Sequence, residues 1–113
     1  MNILEKIIAH KHKEVEAQKK IIPLDRLKQS QRLFDVRDFK NALKGDDIQI
    51  IAEIKRQSPT EKDIYPNADP AEVAKSFKSN GAAALSVLTD SHFFGGHLDF
   101  IQKVKNMHSL CLL

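Results

Sequence analysis

From residue 48 onward the chain alternates two kinds of segment. "IQIIAEIK" (48–55) and "AAALSVLT" (82–89) are short apolar runs, the first rich in β-branched residues, and both read as buried strands. Between them a loop over 56–68 leads to a helix pattern. Asp69-Pro70 supplies a capping acid followed by a proline at the first helical position. Val73, Ala74 and Phe77 make the apolar face, and Asn80-Gly81 ends it. After the second run, "DSHFFGGH" is a loop, "LDFIQKVKNM" is a helix with Leu98, Ile101 and Val104 in step, and "LCLL" (110–113) begins a third strand. Strand, helix, strand, helix, strand is the order of parallel βαβ units with right-handed crossovers. Strands that are apolar on both faces suit a parallel sheet. A doubly wound sheet and a β/α barrel both satisfy this order, and both need more chain. A barrel takes about 250 residues, whereas this chain has 113. The sequence is therefore expected to be a fragment that stops inside an apolar strand.

The segment before residue 48 reads differently. "NILEKIIAHKHKEVEAQKK" has Leu4, Ile7, Ile8 and Val15 near one helical face, and Asn2 with Glu5 resembles a capping box. Pro23 stops this helix, and a short amphipathic piece around Leu24 and Leu27 follows. "DVRDFKNALKG" looks like another short helix, with Phe39, Ala42 and Leu43 inward and Gly45 as its stop. The expected division is residues 1–47 as a helical extension and residues 48–113 as the first part of a β/α domain.

Composition excludes several function classes. Hydrophobic content of 42% and charged content of 29% are ordinary for a soluble globular protein. No apolar run approaches the roughly 18–20 residues of a membrane span, and the N-terminus lacks a signal-peptide core. The single cysteine, Cys111, cannot form an internal disulfide, so a reducing cytoplasm is the natural compartment. A net charge of +3 raises the question of a nucleic-acid partner. However, the eighteen bases are interleaved with fifteen acids, as on solvated helix faces, and no basic run carries aromatics for stacking on bases. His10 and His12 at i, i+2 do not face each other on a helix, which argues against a metal site. Cys111 lies in an apolar run, as a buried inert thiol does. No nucleotide-binding glycine motif and no metal-ligand cluster is present.

The chemistry concentrates at the ends of the apolar runs. Strand alternation puts Ala52 and Ile54 on one face, and Ile51, Glu53 and Lys55 on the other. Glu53 and Lys55 lie at the C-terminal end of their strand, the end that opens onto the mouth of a β/α barrel. A strand-end surface salt bridge and a functional pair both fit this spacing. As a functional pair they would exchange protons with a substrate or clamp an anion. Ser58-Pro59 adds a hydroxyl and a rigid apolar ring at the same mouth. Phe93 and Phe94, beside Gly95-Gly96, follow the second strand. One of the two aromatics suits the core and the other a pocket for an aromatic substrate, while the glycines allow a sharp bend or close approach to a ligand.

"IIAEIKRQSPT", "GAAALSVLTD" and "FFGG", with "RDFKNAL" before the first strand, resemble the N-terminal third to half of indole-3-glycerol-phosphate synthases. The resemblance covers the whole chain. It implies a partial (β/α)8 TIM barrel, namely the first two βα units plus the start of the third strand, after an N-terminal helical extension. It also implies closure of the indole ring of 1-(2-carboxyphenylamino)-1-deoxyribulose 5-phosphate in tryptophan biosynthesis, with loss of carbon dioxide and water and without cofactor or metal. By the family's motif, Glu53 is a catalytic acid/base carboxylate. Lys55 is an active-site cation that holds the anionic substrate and can donate a proton. Ser58, Pro59 and Phe94 border the substrate's aromatic end.

The sequence also departs from the family. "SPTEK" puts Lys62 where the family commonly has glycine, and His97 follows "FFGG" where serine is a better helix cap. Cys111 stands where the family usually has proline, and the chain stops just short of an Arg-Lys-Asp-Phe motif that carries a principal catalytic lysine. The expectation is a synthase fragment inactive alone, and the rival is a non-catalytic chain that pairs with a second chain or acts as a binding module. No nucleic-acid or membrane partner is expected, and an exposed strand edge can support self-association.

Overall fold

The computed structural model describes residues 1–32, 35–107 and 111–112. Two compact units divide at Val36 and Arg37, earlier in the chain than the division expected at residue 47.

The first unit contains α1 (Ile3–Ile21) and α2 (Leu24–Gln29). Asn2 caps α1 with a reciprocal capping box. Its side chain accepts from the Glu5 N–H at 2.9 Å, and Glu5 Oε2 accepts from the Asn2 N–H at 2.8 Å. Two of the orphan donors at the helix start are thereby satisfied. The helix ends just before Ile22-Pro23 because proline has no N–H to continue the ladder. The apolar stripe is present as read, yet no residue of α1 is buried.

The second unit holds the sheet. Its elements are α3 (Phe39–Ala42), β1 (Ile51–Ile54), α4 (Pro70–Ser79), β2 (Ala84–Val87), α5 (Asp99–Met107) and β3 (Cys111–Leu112). The three strands are parallel in the order β1-β2-β3. Residues Leu110 and Leu113 of the expected third strand lie outside the described residues, as does the side chain of Cys111. The α3 helix is a single turn capped by the Asp38 side chain, much shorter than the helix expected over 35–45.

The core lies between one face of the sheet and α4 and α5. Ile54, Leu85 and Val87 from the strands meet Ala74, Phe100 and Val104 from the helices. α4 starts as the Asp-Pro pair dictates, with the Asp69 side chain accepting from the Ala71 N–H at 3.0 Å.

Three expectations are corrected here. β1 is half the expected length, because pairing with β2 starts only at Ile51↔Ala84, and Ile48 is 94% exposed. Both faces of β2 are buried, but β1 buries only the Ile54 side and leaves Ile51 and Glu53 open. The inward face of α5 runs through Phe100 and Val104, four apart. Leu98 precedes the helix and is 72% exposed, and Ile101 is exposed as well. The 98/101/104 spacing fits a helical stripe equally well, but burying the larger phenyl ring fixes the phase. Among the described residues, no helix is long and apolar enough to cross a membrane.

Candidate active site

The register Glu53↔Ser86 places these residues side by side on the sheet face opposite the core. Ser86 Oγ donates to Glu53 Oε2 at 2.8 Å, and Lys55 Nζ lies 3.1 Å from Glu53 Oε1. Each carboxylate oxygen therefore has its own partner. Burial pushes the Glu53 carboxyl up, but the Ser86 hydrogen bond and the Lys55 ammonium together outweigh it and hold the carboxyl below its ordinary value. The Glu53 and Lys55 side chains are 41% and 35% exposed, so the pair stands open at the strand end.

Lys55 Nζ also lies 5.9 Å from the centroid of the Phe94 ring, within cation–π range. The loop after β2 puts that ring there. Asp90 Oδ2 accepts from the Phe93 N–H at 2.6 Å and the Phe94 N–H at 3.3 Å, and the Asp90 carbonyl accepts from the Gly96 N–H at 2.7 Å. Gly95 takes φ 63°, which permits the sharp bend. Gly96 packs against the Leu88 carbonyl so closely that a Cβ would collide with it. The sharp bend allowed by these glycines is made at Gly95, while Gly96 approaches the backbone just after β2.

The structure brings Glu53, Lys55 and Phe94 together. Ser58 hydrogen-bonds within its own loop. Its N–H donates to the Glu61 carbonyl at 2.7 Å, and its Oγ accepts from the Glu61 N–H at 3.1 Å. Pro59 is half-buried in that turn. Lys62 adopts no left-handed φ, so this loop has a path that does not require glycine there. His97 lies two residues before α5, and its Nδ1 accepts from the Asp99 N–H at 3.1 Å. His10 Nε2 lies 3.7 Å from Glu14 Oε2, and among the described residues no three His, Cys, Asp or Glu side chains come together to hold a metal ion.

Sequence reasoning missed Ser86 and Asp90. Ser86 had a usable signal, a lone hydroxyl inside an apolar strand, which must find a partner once buried. Asp90 stands at the start of the aromatic loop, where an Asp side chain commonly accepts from nearby backbone N–H groups.

Comparison with known proteins follows the same outline. A family model described as indole-3-glycerol phosphate synthase matches residues 4–113. The indole-3-glycerol phosphate synthase of Roseiflexus castenholzii is 42% identical over 105 residues, covering 91% of this chain and 39% of that protein. The enzymes of that name from Legionella pneumophila strain Lens and Burkholderia ambifaria are 43% and 37% identical, and each alignment covers 99% of this chain. The chain spans less than half the length of these curated relatives, 39% to 44%.

Proposed function

Because the chain belongs to the indole-3-glycerol phosphate synthase family, we propose that it carries one side of that enzyme's active site. The family's fold is a (β/α)8 barrel, and the two βα units and third strand described above are part of such a barrel. The proposed reaction converts 1-(2-carboxyphenylamino)-1-deoxyribulose 5-phosphate to indole-3-glycerol phosphate with release of carbon dioxide and water. A biosynthetic role of this kind belongs in the cytoplasm.

The observation that carries this reading is the Ser86–Glu53–Lys55 arrangement, open to solvent at the strand end and flanked by an aromatic ring. Ring closure needs an acid at the ketone oxygen while the aromatic carbon attacks. Dehydration needs an acid for the departing hydroxyl and a base for the ring proton. The lowered carboxyl of Glu53 makes it an ionised base at neutral pH. The Lys55 ammonium is the adjacent acid and also an anchor for the anionic substrate. Phe94 offers a ring face to the substrate's aromatic end, and Ser58 and Pro59 border that end from the opposite loop.

A second reading has its own observation. β1 lies at an edge of the sheet, and Ile51 within it and Ile48 and Ile50 just before it are exposed, as they would be on a chain that pairs with another chain bearing further βα units. One experiment addresses both readings. Turnover is measured for the 113-residue chain alone and after mixing with the remaining portion of the Legionella enzyme, each with and without Glu53→Gln. We expect turnover in the mixture that falls about 100-fold or more with Glu53→Gln. Turnover indifferent to that substitution, or none in either preparation, overturns the catalytic assignment.

A further inference from the structure

Arg56 follows Lys55 directly, and its side chain leaves the Glu53 face altogether. Its Nε and Nη2 both donate to the Ala68 carbonyl, the first at 3.0 Å. Its own carbonyl accepts from the Tyr65 N–H at 2.9 Å. Its guanidinium carbon lies 4.5 Å from the centroid of the Phe100 ring. Phe100 is 6% exposed and belongs to the core. One residue thus ties the start of loop 56–68 to its end and rests both on a ring that the core holds still.

We propose that Arg56, seated on Phe100 and forked onto the Ala68 carbonyl, is a positioning residue that holds loop 56–68 against the mouth of the proposed site. The fork geometry is specific to arginine, since a lysine ammonium has no planar pair of donors to share one carbonyl while stacking on a ring. The Ala68 carbonyl adjoins the Asp69 cap, so the same clamp ties the start of α4. Ser58 and Pro59 ride on this loop, and Lys55 is the residue before the clamp. The use of the latch for positioning rests on the function proposed above, whereas the latch itself does not.

Amide hydrogen exchange on the full 113-residue chain tests this proposal, with Arg56→Lys, Phe100→Leu and the double variant compared with the parent. Loss of one partly desolvated cation–π contact should speed exchange at the Tyr65 and Ala68 amides about five-fold or more, relative to the Leu85 and Val87 amides of β2. The double variant should be little faster than either single variant, because both break one coupled unit. Loop exchange at the parent rate in Arg56→Lys overturns the proposal, and so do effects that simply add. Phe100→Leu also trims the core, but general loosening accelerates the β2 amides as well and leaves the ratio unchanged, which likewise counts against it. Loop exchange that responds as expected, together with no turnover in the mixture with the remaining portion of the Legionella enzyme, would count against the proposed function alone.

Discussion

Glu53 sits between opposing influences. Burial favours its neutral form, while the Ser86 hydroxyl and Lys55 favour the carboxylate and prevail. A folded-state value below the ordinary 4.5 contributes stability that is present above 4.5 and lost as pH falls through the lower, folded-state value. In urea unfolding, the parent's advantage over Glu53→Gln should therefore be constant from neutral pH down to about 5 and shrink below it. An advantage that stays constant into the acid range, or grows there, would contradict the assigned environment. The charge pair itself was legible in the sequence, because strand alternation alone sends residues 53 and 55 to one side. Their hydrogen-bonded partner Ser86 was not, because it depends on which residue of the next strand stands opposite.

At the scale of elements, the seating of the loop after β2 depends on Gly96. Its approach to the Leu88 carbonyl leaves no room for a methyl group, and the neighbour is backbone that cannot step aside cheaply. Gly96→Ala should cost about 3 kcal/mol in denaturant unfolding, and it should displace the Phe94 ring from Lys55. A near-neutral substitution would mean that the loop has another seat. Local chemistry announced the element starts well. Asn2 with Glu5 and Asp69 with Pro70 cap the helices where they were expected, since capping needs only neighbours in the chain. Strand lengths and the phase of α5 were less legible. β1 lasts only as long as β2 is there to pair with it, and α5 turns to bury Phe100 rather than Leu98.

For the molecule as a whole, the sheet is closed over by helices on one side, while Ile50, leading into the edge strand β1, is 60% exposed. An apolar edge invites pairing, and a lysine there opposes it. Sedimentation of the parent should show association that strengthens with concentration, and Ile50→Lys should weaken it about ten-fold or more. Equal association in the two proteins would place the contact elsewhere. The sequence by itself determined the order of elements, the parallel βαβ class and the face on which Glu53 and Lys55 lie. Those features follow from period-2 alternation, helical periodicity and capping, all of which act over a few residues. Tertiary structure alone decided that Ser86 holds Glu53, that Phe94 reaches Lys55, and that Arg56 turns away onto Phe100. Each joins segments about 30 to 45 residues apart, brought together by strand register and by burial of large side chains in a shared core.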